Sequence, residues 1–260
     1  MTDTARSTIR RRILDGETLF GAWTDMASPL ATEITGRAGY DWLLADLEHG
    51  AGTEAELLPV LLAAEASGAA AFVRPQSGER LRIGRALDMG AAGIMVPRLD
   101  TAAQAAEAVT FLRYPPDGVR GVALRTRGAN LGTVGHADVG SLNARIVGIV
   151  QIESPGGLAD ADAIAAIDGV DVLFVGPADL SHSLGIPGQF SNPMYTDALD
   201  AVVAACRRHG KSPGILLYDS AAFGPHLERG FRFIGLGSEG SFIAEGAKAA
   251  LSAARSASKA

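Results

Sequence analysis

The chain alternates between short apolar runs and longer segments with helical periodicity. Most of the apolar runs are continuous rather than alternating, which is typical of parallel strands covered on both faces. Eight such runs predict strands at residues 19–26, 40–49, 69–75, 91–99, 145–154, 170–179, 212–219 and 231–238.

Segments rich in Ala and Leu separate these runs, and they have the pattern of helices at 54–67, 101–113 and 197–210. Several helices end in a glycine, which supplies a left-handed C-terminal residue. These glycines are Gly39, Gly68, Gly90, Gly210 and Gly230. Eight strands alternating with eight helices predict a single α/β domain over residues 1–260, a (β/α)8 TIM barrel.

One segment interrupts this rhythm. Residues 115–144 have a turn-forming composition and lie between the fourth helix and the fifth strand. Loops of this length inside compact domains usually have a functional or binding role.

Polar side chains concentrate where the predicted strands end, which is where barrel enzymes carry their catalytic residues. The second strand runs directly into Asp46, Glu48 and His49. The ends of other strands carry Arg74, Arg98, Gln151, Glu153, Asp179, Ser238 and Glu239. We therefore expect acids, arginines and an imidazole to converge on one rim of the barrel.

Two of these acids, Glu153 and Asp179, follow neighbouring predicted strands. A small set of hard oxygen ligands suits Mg²⁺ or Mn²⁺, which keep open positions for water and substrate. The alternative is a pair of acids bridged by arginine. His49 is a candidate metal ligand, general base or hydrogen-bonded core histidine.

Lysine is placed wrongly for Schiff-base chemistry, because none of the three lysines follows a strand at the expected rim. They are Lys211, Lys248 and Lys259. Carbanion chemistry on a carbonyl substrate would then require a metal ion.

The sequence GLGSEG (235–240) has dinucleotide-motif spacing but lacks the following strand, so a loop-to-helix turn is expected. His182 is interpreted as a loop residue that caps a helix.

The composition excludes some partners. The formal net charge is −6 and no basic stripe is present, so nucleic acid is not expected. No apolar run reaches the ~18 residues of a membrane span, and the N-terminal residues lack the apolar core of a secretory signal. A single cysteine, Cys206, excludes internal disulfides and fits a cytoplasmic protein.

Six motifs are together far more specific than any one of them. They are DLEHG, FVRP, LDMGAAGIMVPRLDTAAQA, YPPDGVRG, VQIES and LFVGPADLSHSLG. With FGAWTDM before them and FIGLGSEG after them, they resemble the HpcH/HpaI family of metal-dependent pyruvate aldolases over nearly the whole chain. The resemblance implies a barrel of the phosphoenolpyruvate/pyruvate type.

The resemblance also implies a metal and a donor site. Glu153 and Asp179 match the ligands of a divalent ion (Mg²⁺, Mn²⁺ or Co²⁺), which pyruvate would chelate. Gln151, Asp179 and the backbone around Ala178 match positions that contact pyruvate. Trp23 matches a wall of its pocket.

Catalytic roles follow from the same resemblance. Arg74 matches the arginine that steadies the developing enolate. His49 matches the general base, acting through a metal-bound water. Asp46 stands where an aspartate pairs with that histidine, and Asp88 matches a second acid that raises its basicity.

The chain departs from the family pattern in the LRTRGANLGTVGHADVG stretch, which borders the aldehyde pocket in relatives. Glu239 replaces a frequent aspartate, and Ala178 replaces a serine of some members. Family members form hexamers, as trimers of dimers whose last helix packs on a neighbour. A homo-oligomer of this kind is therefore expected.

The sequence thus predicts reversible cleavage of a 4-hydroxy-2-oxo acid into pyruvate, or hydroxypyruvate, and an aldehyde. One alternative is an acyl-CoA lyase of the citrate-lyase β type, which would need a basic nucleotide site that the sequence does not show. Another is a non-catalytic oligomer that binds a keto acid, for which His49 would be unnecessary.

Overall fold

Eight parallel strands close into a barrel in the order in which they follow one another along the chain. The computed structural model describes residues 4–258. The first strand pairs with both the second and the last, so the sheet has no open edge. The strands are β1 (Leu19–Thr24), β2 (Trp42–Asp46), β3 (Ala70–Arg74), β4 (Gly93–Val96), β5 (Val147–Ile152), β6 (Val172–Val175), β7 (Ser212–Leu217) and β8 (Phe233–Ser238).

Helices follow the strands and cover the outside of the barrel, so the predicted (β/α)8 TIM barrel is confirmed. The α-helices within residues 4–258 are α1 (Ala5–Leu14), α2 (Pro29–Arg37), α3 (Glu54–Ser67), α4 (Arg80–Asp88), α5 (Ala102–Leu112), α6 (Pro155–Ala159), α7 (Ala161–Ala165), α8 (Pro177–Ser183), α9 (Pro193–His209), α10 (Phe223–Arg229) and α11 (Glu239–Ala257).

All eight predicted strands exist, but several are shorter than their apolar runs. The prediction for β6 extended through Asp179, whereas the strand ends at Val175. Pro177 occupies the first turn of α8, where its missing N–H and fixed φ are favourable. Asp179 therefore lies on a helix rather than on a strand.

Helix boundaries follow local capping signals. The prediction for α3 matches the observed helix, which has a Thr53 capping box and ends at Gly68. Helix α9 begins earlier than predicted because the side chain of Asn192 caps Met194 N at 3.0 Å. The five glycines predicted to close helices all have positive φ.

An aromatic cluster fills the inside of the barrel. The rings of Trp42 and Phe233 stack with their centroids 4.2 Å apart, and Phe72 packs edge-on against Phe233 at 5.7 Å. All three side chains are fully buried. The cluster fits because β1 carries Gly21, where a Cβ atom would overlap the indole of Trp42. A larger aliphatic core lies between the strands and the helices.

The segment 115–144 has neither an α-helix nor a strand, as its composition predicted. It forms two 3₁₀-helical turns, Arg127–Gly132 and Val139–Arg145. It is nevertheless ordered around a small core of its own, and the Arg113 guanidinium donates to the carbonyls of Asn143 (2.6 Å) and Ile146 (2.8 Å). That core consists of Tyr114, Ala129, Val139 and Leu142.

Between residues 4 and 258 no helix combines the length and the apolar character that crossing a membrane requires. The longest helix, α11, has only one buried residue, Glu239. Its remaining length leaves the barrel surface and exposes nearly all of its side chains.

Replacement of Gly21 by alanine tests the packing of the barrel interior. The added methyl group must displace the buried indole of Trp42, so we expect Gly21→Ala to lower the free energy of unfolding by about 2–3 kcal/mol. The matched control is Gly84→Ala in α4, where nothing lies within 4 Å of the new Cβ. That change should be neutral or stabilising by up to about 1 kcal/mol. Urea unfolding followed by circular dichroism measures both, and equal effects would contradict the packing account.

Candidate active site

A cavity of about 460 Å³ opens at the carboxyl ends of the barrel strands. Since all strands of a parallel barrel end on the same face, residues far apart in the sequence converge there. Eight of the nine predicted site residues line this cavity: Trp23, Asp46, His49, Arg74, Gln151, Glu153, Ala178 and Asp179.

A buried ion pair joins the ends of β2 and β3. Asp46 and Arg74 are register partners, and their side chains meet in two hydrogen bonds. Arg74 Nε lies 2.9 Å from Asp46 Oδ1, and Arg74 Nη2 lies 2.6 Å from Oδ2. Glu48 adds a second acid, 3.2 Å from Arg74 Nε. The guanidinium is thereby fixed at the wall of the cavity.

Asp46 also shapes the turn that carries His49. Its Oδ1 accepts the backbone N–H groups of Glu48 (3.0 Å) and His49 (3.3 Å). A Cβ at Gly50 would overlap the carbonyl of Asp46, so this tight turn requires glycine. The predicted pairing of Asp46 with the His49 ring is not formed, because Asp46 is already engaged by Arg74 and these amides.

The imidazole of His49 is an exposed polar group of the site. Its side chain is 66% exposed, and the nearest carboxylate atom is Glu48 Oε2, 3.9 Å from Nε2. The histidine is therefore neither a buried core residue nor held by a strong ion pair. It is free to exchange protons with a molecule in the cavity.

Glu153, directly after β5, is the most perturbed acid of the cavity. Burial raises the pKa of its carboxyl group to about 7, and the charge of Asp179 adds to this effect, whereas Arg74 opposes it. Gln151 donates a hydrogen bond to it from its side-chain amide. A Cβ at position 176 would lie 2.6 Å from Glu153 Oε1, so Gly176 leaves room for this carboxylate.

The donor set fits a metal ion that keeps part of its water shell. Glu153 and Asp179 line the same cavity and repel each other electrostatically. Arg74 forms its ion pairs with Asp46 and Glu48 instead of bridging these two acids. Throughout the described residues, no group of three or more His, Cys, Asp or Glu could form a closed metal cage. Two carboxylates with open positions suit Mg²⁺ or a similar ion.

Asp88 is the one predicted site residue that does not reach the cavity. It ends α4, a helix that runs from the carboxyl end of β3 back to the amino end of β4. Its carboxylate instead pairs with Arg120 at 3.0 Å. A residue at the bottom of the barrel cannot contact His49 of the same chain at the top, so this prediction is wrong for a single chain.

The lysine prediction agrees with the structure where it can be compared. Lys211 precedes β7, and its Nζ donates to the carbonyl of Ile167 at 3.2 Å. Lys248 lies on the exposed part of α11, and Lys259 lies outside the described residues. His182 lies within α8 rather than in a loop as the sequence predicted, and its Nδ1 lies 2.8 Å from the carbonyl oxygen of Ala178 in the same helix.

Several lining residues were not singled out from the sequence. Asp25, Tyr218 and Asp219 directly follow β1 and β7, so the strand-end rule would have found them. Others come from helices and loops, where no sequence signal marked them: Phe190, Tyr195, Ala222 and His226. Phe190, Tyr195 and Ala222 add apolar surface to the lining.

Glu239 lies beside the cavity without lining it. Its carboxylate accepts a hydrogen bond from Thr32 Oγ1 at 2.9 Å and another from Met26 N at 3.4 Å. The residue is only 2% exposed. Burial raises the pKa of this carboxyl group to about 7, and the charge of Asp25 adds to the shift. Glu239 therefore ties α11 to α2 rather than taking part in the cavity chemistry.

The architecture and the site together are those of a barrel enzyme, with acids, an arginine and an imidazole at the carboxyl ends of the strands. The model of the family HpcH/HpaI aldolase/citrate lyase matches residues 19–245. The chain belongs to this family, which confirms the resemblance seen in the sequence motifs.

Individual relatives agree with this assignment. A 5-keto-4-deoxy-D-glucarate aldolase of Klebsiella pneumoniae is 42% identical over 219 residues, which are 84% of this chain and 85% of the relative. An HpcH/HpaI family protein of Burkholderia cenocepacia superposes with a TM-score of 0.91 at 37% identity, covering 96% of this chain and 99% of that one. An HpcH/HpaI aldolase of Desulfitobacterium hafniense superposes with a TM-score of 0.86 at 31% identity. The match covers 94% of this chain and 95% of that one. The protein is a carbon–carbon lyase.

The buried Glu239 makes stability depend on pH. Its pKa of about 7 in the folded protein lies above the ordinary value near 4.5, so the folded state binds the extra proton between these pH values. Stability from this group is complete below about pH 4.5 and is lost as the pH rises through 7. We therefore expect the free energy of unfolding of Glu239→Gln, relative to that of the wild type, to increase by roughly 1–3 kcal/mol as the pH rises from 4.5 to 8.

Chemical unfolding at several pH values measures this difference. Glu107→Gln, at an exposed position of α5, is the control and should show no such trend. A constant difference between Glu239→Gln and the wild type would show that Glu239 keeps an ordinary pKa.

Proposed function

We propose that the protein reversibly cleaves a 4-hydroxy-2-oxo acid into pyruvate, or hydroxypyruvate, and an aldehyde, with the help of a divalent metal ion. The observation that carries the proposal is the convergence of Glu153, Asp179, Arg74 and His49 on one cavity. The aldolases among the relatives support the reaction type.

Glu153 and Asp179 are the residues that would hold the metal ion, Mg²⁺, Mn²⁺ or Co²⁺. When bound, the ion would stabilise negative charge that develops on the keto oxygen of the substrate. The pKa of about 7 at Glu153 supports this role, because a nearby cation removes the repulsion between the two acids.

Arg74 supplies a second positive charge for the developing enolate. Its Nε and Nη2 are bound to Asp46, and Nη1 has no hydrogen-bond partner within the part of the chain that the structure describes. A guanidinium that is already oriented stabilises an oxyanion without reorganisation. Arg74 therefore both orients the keto acid and favours cleavage.

His49 is the general base. In the cleavage direction it removes the proton of the C4 hydroxyl group, and the O–H electrons form the carbonyl of the departing aldehyde. The electrons of the C3–C4 bond pass into the enolate, which then takes a proton at C3 to become the keto acid. An imidazole that is open to the cavity can accept this proton and return it in the reverse reaction.

The remaining lining residues define the donor pocket. Trp23 is buried and packs on Phe174 with ring centroids 5.4 Å apart, which forms an apolar wall. Gln151 and the backbone at Ala178 lie on the side of the acids. The keto acid would bind between these surfaces, with its carboxylate toward the backbone at Ala178 and the metal ion that Glu153 and Asp179 would hold.

The protein is proposed to act as a homo-oligomer, a hexamer built as a trimer of dimers. Helix α11 exposes Ile243 (54%) and Leu251 (52%), and the neighbouring α2 exposes Leu30 (68%) and Ile34 (64%). Exposed apolar side chains on adjacent helices are typical of an interface. Asp88 could raise the basicity of His49 only across such a contact, from a second copy.

A charge on the apolar face of α11 tests the assembly. We expect Ile243→Glu to reduce the native mass measured by analytical ultracentrifugation, because a carboxylate would be buried at the interface. Ser252→Glu lies on the opposite side of the same helix and should leave the mass unchanged. The same mass for both variants would exclude this face as an interface.

Pyruvate release from a panel of 4-hydroxy-2-oxo acids tests the reaction. We expect EDTA to abolish cleavage by the wild type, and Mg²⁺, Mn²⁺ or Co²⁺ to restore it. Arg74→Lys should lower kcat about 10²-fold. A lysine ammonium cannot make both hydrogen bonds to Asp46 and at the same time stabilise the negative charge of the enolate. Arg85→Lys, on the exposed face of α4, is the control.

Two results would contradict the proposal. Cleavage that survives EDTA would exclude the metal role of Glu153 and Asp179. Absence of cleavage for every member of the panel, with metal present, would favour an acyl-CoA substrate or keto-acid binding without turnover.

A further inference from the structure

A second cavity, of about 350 Å³, lies at the opposite end of the barrel from the catalytic cavity. Ala92 and Ile146, which directly precede β4 and β5, form part of its floor. The start of α1 and the segment 115–144 form its walls. It shares no lining residue with the catalytic cavity, so the reaction described above gives it no role.

Guanidinium groups concentrate around this cavity. Arg6 and Arg145 line it. Arg6 donates from Nη1 to the carbonyl of Arg127 at 3.1 Å and from Nη2 to the carbonyl of Gly128 at 3.2 Å. A Cβ at Gly90 would lie 3.2 Å from Arg127 Nε and 3.7 Å from Arg6 Nη1, so both guanidiniums flank the same glycine.

Negative charge does not balance these cations. Among residues 4–258, Glu65 is the only acid that lines the cavity, and it pairs with Arg127. Within residues 4–258, neither Arg6 nor Arg145 takes part in an ion pair. Burial lowers the pKa of Arg6, and the charges of Arg127 and Arg145 lower it further, against the pull of Glu65. Buried or half-buried cations without a partner are costly unless an anion accompanies them.

The rest of the lining is suited to an organic ligand. Ala92, Leu142 and Ile146 supply an apolar floor. Asn130 and Thr133 add polar groups at the rim, and Asn130 keeps a left-handed backbone (φ +53°) that is uncommon for a residue other than glycine. Charged groups on one side and an apolar floor on the other match a small carbon skeleton that carries an oxyanion.

We propose that this cavity, with Arg6 and Arg145 as its charged groups, binds a small phosphate monoester at the amino-terminal end of the barrel. A dianionic phosphate group would compensate the charges of these two guanidiniums, neither of which has an ion-pair partner within residues 4–258, and arginine is well suited to phosphate oxygens. The carbon part of the ester would cover Ala92, Leu142 and Ile146. Binding would fasten α1 and the segment 115–144 to the barrel, so it stabilises the fold.

Isothermal titration calorimetry of the full chain with glycerol 3-phosphate, at constant ionic strength, tests this site. We expect saturable binding to the wild type and a rise in Tm with ligand concentration. Arg145→Gln should weaken binding about tenfold or more, because it removes one of two cations that contact the phosphate. Arg6→Gln should act similarly, and Arg145→Gln remains informative if Arg6→Gln is unstable, because Arg145 anchors no backbone carbonyl in the described chain.

Two control variants define the location. Arg11→Gln removes the same charge from an exposed position of α1 and should leave the dissociation constant unchanged. Glu153→Gln alters the catalytic cavity and should also retain binding. Equal affinity for Arg145→Gln and Arg11→Gln, or loss of binding in Glu153→Gln alone, would overturn the proposal.

Inorganic phosphate tests the role of the apolar floor. Glycerol 3-phosphate should bind more tightly than inorganic phosphate at the same ionic strength. Equal affinities would overturn the assignment to an ester, and absence of binding by both would overturn the site as a whole.

Discussion

The active site depends on the buried ion pair between Asp46 and Arg74. The two residues are register partners on β2 and β3, so the barrel itself brings their side chains together. Removal of either partner would leave an uncompensated buried charge, which costs about 3–5 kcal/mol. The pair holds the guanidinium at the cavity wall, and through Asp46 it also fixes the turn that presents His49. One interaction thereby positions both the guanidinium of Arg74 and the backbone that carries His49.

The cavity combines several acids with apolar side chains. Burial is the main reason that the pKa of Glu153 rises to about 7, and Asp179 adds to it. Such a concentration of negative charge is unfavourable unless a cation neutralises it. The same low-dielectric surroundings strengthen the attraction between a cation and an enolate oxygen. The burial and the charge that raise the pKa of Glu153 would therefore also favour the enolate chemistry proposed for this cavity.

The two ends of the barrel have different characters. The cavity at the carboxyl end gathers acids around one arginine, whereas the cavity at the amino end is lined, within residues 4–258, by two arginines and one acid, Glu65. The segment 115–144 is held against the amino end by Arg113 and by its own small core. Helix α11 leaves the barrel surface and exposes apolar side chains. The two cavities therefore have charged side chains, and α11 has apolar side chains, that contacts within one barrel leave exposed.

The sequence by itself determined the elements that depend on neighbouring residues. Apolar runs located all eight strands, and the Thr53 capping box located α3. Of the eight predicted site residues that line the cavity, the strand-end rule found six, and the family resemblance added Trp23 and Ala178. Tertiary structure decided the partners: Asp46 binds Arg74 rather than His49, and Asp88 lies at the far end of the barrel. The cluster of Arg6 and Arg145 also arises only in the folded chain. Periodicity and capping act over a few residues, whereas ion pairs and cavities join residues that only strand register and helix packing bring together.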